Sequence, residues 1–431
     1  MAQSLSHSVS QSLLKDKNIL IGVTASIAIY KTCELVRLFV KAGANVRVVM
    51  SEDAKRFVTP LTFEALTSQK VLDEKSEDWS SDYNHIAIGK WADLFIIAPA
   101  TANTINKLSN GIADNLLTQI ALAYPRIKLL APSANTNMIA NPLTQASLKM
   151  LKLCNYEVIK TQTKELACKD VGDGAMAEPM SIFDVAVSKL LEDEYWKNRK
   201  VVVSSGGTIE KIDDVRYISN FSSGKMGVAL ASSLYYKGAD VCLIKTANVN
   251  EPIPNGIHVI TVQNTNEMFE YIKKSISVAK KGILTKNTIM DDSRQELIQK
   301  KPYFFSVAAV SDYIPKYPQH GKMKKNEIGD NWNLELKENI DILSSINKDG
   351  IYTIGFKAEM DKDNAKQNAK NMLQNKNLDG VCLNILQNSN SFGTQTNTID
   401  LILEDNQFSF SGDKLDISFE IIDRLKNEFH D

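Results

Sequence analysis

The segment "KAGANVRVV" at 41–49 returns, little altered, as "YKGADVCLI" at 236–244. In each copy a helical pattern stops at a glycine and gives way to a short apolar, β-branched run. A helix end feeding a strand is half of a strand–helix–strand unit, and such units build mostly parallel sheets covered on both faces. The surroundings of both copies extend the pattern. "NILIGVT" (18–24) reads as a buried strand, 27–42 carries apolar residues at helical spacing, and "NVRVVM" (45–50) is the next strand. "DLFIIAPA" (93–100), "IKLLAPS" (127–133) and "YEVIKT" (156–161) continue the series. Near residue 198 it restarts with "KVVVSSGGT" (200–208) and a helix over 225–237. Strands follow at 303–311, 352–358 and 379–385, then a hairpin over 398–412 and a closing helix at 415–428.

A chain of 431 residues exceeds one ordinary core. The predicted fold class is therefore α/β, two tandem Rossmann-like doubly wound domains. Residues 1–16 form a flexible lead-in, 17–191 the first domain, 192–199 a charged linker and 200–431 the second domain. The polar stretch 282–301 is longer than such a connection needs and reads as a surface insertion, in part helical.

A net charge of −1 leaves no electrostatic footprint for nucleic acid, and no basic run marks a membrane surface. No apolar stretch approaches the roughly 20 residues that span a bilayer. The N-terminal "MAQSLSHSVSQSLLKDK" lacks the apolar core of a signal peptide. Cys33, Cys154, Cys168, Cys242 and Cys382 are scattered without a CxxC pair, and the histidines are as dispersed. These features predict reduced thiols, a cytoplasmic protein and no structural zinc.

In open α/β sheets ligands sit beyond the carboxyl ends of the strands. "VTASIAIYK" (23–31) is such an end, entering a helix at the small residue Ser26. Free N–H groups there, with the Thr24 and Ser26 hydroxyls, suit a phosphate; a helix N-cap and nothing more is the alternative. GxGxxG is absent, which disfavours a dinucleotide. "PATAN" (99–103) and "PSANTNM" (132–138) are two further small-residue ends. Together the three make a flat crevice for a planar cofactor with a phosphate tail. His85, in "NHIAIGKWAD" (84–93), is either a structural histidine or a base suited to neutral pH. "LACKDVGDGAMAEP" (166–179) sets Cys168 among glycines and acids. The stretch lacks the spaced oxygen donors and terminal Glu of a calcium loop, and Cys168 has no partner nearby in sequence for a disulfide or zinc.

"TASIAIYK", "HIAIGKWADLFIIAPATAN", "GIADNLL", "PSANTNM" and "ACKDVGDGAMAEP" occur in this order over 17 to about 190, and this half resembles the flavin-dependent cysteine decarboxylases, specifically those acting on phosphopantothenoylcysteine. The resemblance implies that Ser26, Ser51, Ala98, Thr101 and Ala102 surround FMN. It implies His85 as the active-site base, Asn135 as the holder of the substrate carboxylate, and Cys168, on a glycine-hinged flap, as the acid that protonates the product. The chemistry accounts for that set. The carboxylate to be lost has no electron sink beside it, and oxidising the neighbouring thiol to a thioaldehyde creates one, which a flavin can do reversibly. The chain departs from the family pattern at Ala25-Ser26, Ala134, Lys169 and Ala175; Lys169 is placed to supply the positive charge of the arginine usual at 175.

In the second half, "SSGGTIEKIDDVRYISNFSSGKMG" (204–227) places two glycine–hydroxyl clusters around a segment that is not helical, and the second opens a helix at Lys225. Such clusters present N–H groups and hydroxyls to phosphates; a glycine-relaxed loop is the alternative. "AAVSDYIP" (308–315) sets Asp312 just past a strand end, where a Mg2+–triphosphate needs a carboxylate. "GKMKKNE" (321–327) adds lysines that either contact the triphosphate or are a solvated loop.

"VRYISNFSSGKMG", "AAVSDY", "KMKK" and "GFKAE" look like the phosphopantothenate–cysteine ligases, and the tandem order is that of bifunctional enzymes of coenzyme A biosynthesis. The resemblance implies CTP as co-substrate with Mg2+. Asn220 would stabilise an acyl-cytidylate, Lys322 contact the triphosphate, and Asp312 hold the nucleotide and its cation. Ala308, Ala309, Ile340, Asp341, Ile342, Leu343, Phe356 and Lys376 would complete the nucleotide site. One lysine usual in the helix before "KNLD" is Met372 here, with Lys370 nearby. The implied partners are small molecules (4′-phosphopantothenate, cysteine and CTP) and further copies of the chain, as trimers through the first half and dimers through the second. Alternatives are a ligase with an impaired decarboxylase half, and a non-catalytic regulatory flavoprotein.

Overall fold

The protein is seen in a computed structural model that describes residues 12–165, 171–286, 295–324, 331–386 and 393–430. The chain divides into two units, Met1–Leu190 and Leu191–Asp431. In the first, five parallel strands lie in the spatial order Asn45–Met50, Asn18–Val23, Leu94–Ala100, Lys128–Pro132 and Tyr156–Val158. Ile19, Leu20, Ile21 and Val23 are all fully buried, because helices cover both faces of the sheet; hence the continuous apolar run in the sequence. The helix Ile29–Lys41 buries Ile29, Thr32, Leu35, Val36 and Phe39, a stripe at 3.6-residue spacing.

The main sheet of the second unit has eight strands in the order His258–Val262, Asp240–Thr246, Lys200–Ser205, Tyr303–Ser306, Tyr352–Glu359, Gly380–Ile385, Thr396–Ile402 and Gln407–Asp413. The first six are parallel, Thr396–Ile402 runs antiparallel to the sixth, and Gln407–Asp413 turns back antiparallel to Thr396–Ile402. Alternate residues of one strand serve two cores. Val201 and Val203 pack with Leu230, Leu234, Ile417 and Ile421 from the helices Lys225–Tyr236 and Lys414–Glu428. Val202 packs with Met268, Ile272, Ala369 and Leu373 from the helices Thr265–Ala279 and Ala365–Asn375.

The repeated segments have one structural cause. Gly43 (φ +86°) and Gly238 (φ +89°) take left-handed backbone just after a helix end, a conformation that a Cβ disfavours. In both sheets the strand order reverses beside the first strand of the unit, between Asn18–Val23 and Leu94–Ala100 and again between Lys200–Ser205 and Tyr303–Ser306. Such switch points open crevices at the carboxyl ends of the strands.

The stretch 282–301 is not helical where it is described. Ile283–Lys286 pairs antiparallel with Gln295–Ile298, setting Leu284 opposite Leu297, and 287–294 lies outside the described residues. Among the described residues no helix is long and apolar enough to cross a membrane.

Candidate active sites

At the first switch point one buried hydroxyl joins two strand ends, and backbone bonds add two more. Thr24 Oγ1 donates to Pro99 O at 2.7 Å and accepts from Thr101 N–H at 3.0 Å, fixing the end of Asn18–Val23 to that of Leu94–Ala100. Ser51 N–H donates to Val23 O at 3.0 Å, and Ser133 N–H to Ala100 O at 2.9 Å. Ser26 Oγ and Ser133 Oγ lie 3.0 Å apart across the crevice. Thr101 caps the helix Ala102–Ser109, so that helix's free N–H groups start here. Ala98 and Ala102 are buried beside them, and Thr32 Oγ1 holds Ala98 O at 2.9 Å. Ser26, Ser51, Ala98, Thr101 and Ala102 are thus on one rim. Thr136 Oγ1 is buried with no partner among the described residues, a polar atom left for a ligand. Small residues, spare hydroxyls and a helix start fit a flat ring with an anionic tail.

Asn135 caps the short helix Thr136–Ala140, its side chain accepting from Asn137 N–H at 2.9 Å. Beside it lies an antiparallel hairpin, Gln162–Glu165 with Val171–Ala175, whose Gly174 O accepts from Ala134 N–H at 3.1 Å. Cys168 and Lys169 fall in 166–170, outside the described residues, but both flanking strands are described and the second is bonded to the Asn135 loop. Ala175 is buried. The hairpin is also latched to the first helix. Buried Lys31 donates to Met176 O at 3.1 Å and to Glu178 Oε1 at 2.9 Å, and Lys164 of the hairpin reaches the same carboxylate at 3.0 Å. Burial lowers the Lys31 ammonium below the ordinary lysine value, with Glu178 opposing. Burial alone would raise the Glu178 carboxyl, but the two lysines together hold it below the usual carboxylate range.

A carboxyl depressed in the fold contributes stability that is present above the ordinary value of about 4.3 and lost as pH falls through the depressed one. Acidification below about pH 4.3 is therefore expected to loosen the hairpin, read as a drop in amide protection relative to the unfolded chain at the same pH at 162–165. Glu178→Gln is expected to cost about 1–2 kcal/mol in denaturant unfolding at neutral pH, limited because the carboxylate is half-exposed.

His85 opens a helix, His85–Trp91, capped by Asn84, whose side chain accepts from Ile86 and Ala87 N–H. Its Nδ1 lies 2.8 Å from Glu77 Oε1, and its ring meets Trp79 edge-on with centroids 5.3 Å apart. The segment before it starts at the carboxyl end of Asn45–Met50, where Leu72 bonds Val48 and Met50 and Asp73 pairs with Lys55 at 2.7 Å.

In the second unit a cavity lies where the helix Lys225–Tyr236 begins. Ser222, Ser223 and Gly224 line one side, Ala308, Ala309 and Phe356 another. Ser205 Oγ donates to Gly224 O at 2.9 Å, and Ala309 N–H to Gly206 O at 2.8 Å, so both glycine-rich turns are tied to the strand ends. Lys225, Lys357, Lys414, Asn384 and Asn397 are also among the lining residues. Lys225 Nζ donates to Gly393 O at 2.9 Å, while Lys414 Nζ donates to Thr394 O and Thr396 O. Burial lowers the Lys414 ammonium, and Lys225 lowers it further. An anion bound in this cavity would oppose both effects through its charge.

Asn220 Nδ2 donates to Val310 O at 2.9 Å, next to Ala309. Asp312 is exposed, its carbonyl taking Asn339 N–H at 2.8 Å. Lys322 is exposed on a loop whose Gly321 N–H donates to Asp214 Oδ2 at 2.7 Å. Asp341 caps the helix Ile342–Ser345 and pairs with Lys376 at 2.8 Å. Ile340 is exposed, but the Ile342 and Leu343 side chains are buried in the core, leaving only their backbone for a ligand. Met372 packs onto Gly355, its Cε 2.8 Å from where a Cβ would stand. Among the described residues no cluster of three or more His, Cys, Asp or Glu could hold a metal.

The Flavoprotein family matches residues 7–191, and the DNA/pantothenate metabolism flavoprotein C-terminal domain matches 196–287 and 283–429. The coenzyme A biosynthesis bifunctional protein CoaBC of Bacillus subtilis (strain 168) is 36% identical over 422 residues, covering 96% of this chain and 97% of that protein. This chain belongs to the CoaBC family. The CoaBC protein of Borreliella burgdorferi is 34% identical over 394 residues, 90% of this chain and 93% of that protein. Among solved structures, the FMN binding protein AtHal3 is 34% identical over 40% of this chain and 95% of its own, with a TM-score of 0.36.

Within this CoaBC-family chain several residues at the sites lay beyond sequence reasoning. Lys31 closes "TASIAIYK" and Thr32 follows it, and both read in the sequence as helix interior. Lys414 begins the last helix, more than a hundred residues after the strand Tyr303–Ser306, and only the fold brings it to the cavity. Glu77 reaches His85 across an irregular turn that carries no periodic signal.

Proposed function

We propose that the chain makes 4′-phosphopantetheine in two stages, one on each unit. The second unit joins the carboxylate of 4′-phosphopantothenate to the α-phosphorus of CTP, expelling pyrophosphate. The cysteine amine then attacks the acyl carbon and CMP leaves. The first unit removes the cysteine-derived carboxylate as CO2. The observation that carries this reading is that a CoaBC-family chain has, at its two strand-order switch points, the Thr24, Ser26 and Ser133 hydroxyls in one unit and the cavity lined by Gly224, Ala308, Ala309 and Phe356 in the other.

For ligation, Ala308, Ala309 and Phe356 form one wall of the nucleotide site, with Lys225 and Lys414 as cations for the triphosphate. Asn220, held on Val310 O, is beside them to stabilise the acyl-cytidylate. Lys322 meets the triphosphate from its loop, and Ile340, Asp341, the Ile342–Leu343 backbone and Lys376 bound the far side. Asp312 supplies one carboxylate for Mg2+; the other ligands would be phosphate oxygens and water, the usual manner of Mg2+ at nucleotides. Because anion binding favours the protonated Lys414, CTP affinity is expected to fall as pH rises through its lowered value. KM for CTP measured from pH 7 upward checks this, and Lys414→Met should flatten the rise.

For decarboxylation, Ser26, Ser51, Ala98, Thr101 and Ala102 would hold FMN, which when bound supplies reversible hydride acceptance. Asn135 orients the substrate carboxylate, His85 takes the thiol proton, and Cys168 returns a proton. A homo-oligomer, trimeric through the first unit and dimeric through the second, completes the reading; light scattering at graded concentration tests it. The reaction itself is tested by supplying 4′-phosphopantothenoylcysteine to the flavin-loaded protein. Release of CO2 with 4′-phosphopantetheine supports the decarboxylase half, and no CO2 overturns it.

A further inference from the structure

We propose that Glu77 is a positioning residue for His85, holding its imidazole with Nδ1 protonated and Nε2 free to act; this rests on the reading of His85 as the decarboxylase base. An ionised carboxylate only accepts hydrogen bonds, so a ring nitrogen 2.8 Å from Glu77 Oε1 is the one that carries the hydrogen. The tautomer of a histidine is set by the partner of its other nitrogen. The two side chains are 24% and 23% exposed, sheltered enough for the bond to persist and open enough for the ring to meet a substrate.

Three further observations fix the carboxylate. The same Oε1 faces His85 N–H at 3.4 Å, so Glu77 touches both ring and backbone. The turn just before Glu77 is locked, with Asp73 Oδ1 accepting from Lys75 and Ser76 N–H at 3.0 and 2.9 Å. Burial alone would raise the Asp73 carboxyl, but Lys55 and these N–H groups outweigh it and hold it below the usual range. Finally, Trp79 stands edge-on to the imidazole at 86°, restraining the ring from the side.

The step this serves is a proton transfer. The substrate S–H bond breaks, the electron pair stays on sulfur, and an Nε2–H bond forms. The resulting imidazolium then faces an anion through its Nδ1–H. Glu77→Gln removes the charge and lets the amide present either donor or acceptor, so the ring loses its fixed tautomer.

Histidine-labelled 15N NMR of the full chain reads the tautomer directly, with His85 assigned by the signal that His85→Gln removes. The expected result, read at a pH where the ring carries a single proton, is that proton on Nδ1, shifted toward Nε2–H in Glu77→Gln and retained in Glu77→Asp. In the same proteins kcat for decarboxylation should fall about 10- to 100-fold in Glu77→Gln, with KM unchanged and partial recovery in Glu77→Asp. An Nε2–H tautomer in the unsubstituted protein overturns the proposal whether or not the variants fold. Unchanged kcat and tautomer in Glu77→Gln overturn it too. If decarboxylation survives His85→Gln, the reading of His85 itself has failed, a distinct outcome that takes the proposal with it.

Discussion

His85→Gln is expected to slow CO2 release from 4′-phosphopantothenoylcysteine by about 100- to 10,000-fold, the usual contribution of a positioned general base. Glutamine keeps a polar side chain of similar reach but cannot take up a proton at neutral pH. The helix start survives, because its cap is the Asn84 side chain rather than the imidazole. CMP formation should continue at its original rate, since the residues proposed for ligation lie on Leu191–Asp431. Assaying both products separates loss of a base from general damage. If CO2 release is retained, His85 is a surface histidine held by Glu77 and no more.

The second large effect is expected in the ligase unit from Gly206→Ala. Gly206 has φ +91°, and an added Cβ would stand 1.9 Å from Thr246 Oγ1 and 2.6 Å from Val249 Cγ2. Overpacking together with left-handed backbone strain is expected to cost on the order of 3 kcal/mol. Thr246 is buried in the adjacent strand and bonded to Asn248, so it has little freedom to give way. Gly206 O also accepts Ala309 N–H, so any shift moves the wall formed by Ala308 and Ala309. The unfolding midpoint of this unit should drop and KM for CTP should rise together. A variant with unchanged midpoint and unchanged KM would show that this turn does not shape the nucleotide site.

Much of the architecture was readable because the central strands are buried on both faces. Runs such as "NILIGV" and "KVVVSS" carry no alternation to confuse with a helix and are bounded by small residues at the ligand ends. Strand-end clusters like "PATAN" and "FSSGKMG" showed for a related reason, since small residues stand where other parts of the chain come close: Thr101 N–H meets Thr24 Oγ1, and a Cβ at Gly224 would meet Val249. What escaped has weaker signals. "HIAIGKW" is a seven-residue helix running straight into a strand, too short for its period to show. The hairpin Gln162–Glu165 with Val171–Ala175 is polar and glycine-rich, so its pairing is set by docking on the Asn135 loop rather than by an apolar face. The pair Ile283–Lys286 and Gln295–Ile298 likewise lies off the main sheets, where composition alone suggested partial helix. Ile342 and Leu343 show the reverse case: residues that the family resemblance puts beside a nucleotide turn their side chains into the core.

The most direct measurement supplies the purified, flavin-loaded protein with 4′-phosphopantothenate, cysteine, CTP and Mg2+, and counts CMP and CO2 in the same vessel. Two stages on one chain require CMP and CO2 in equal amounts once the intermediate has been consumed, with 4′-phosphopantetheine as the product. CMP without CO2 would leave only the ligase half standing, and the absence of both would contradict the account.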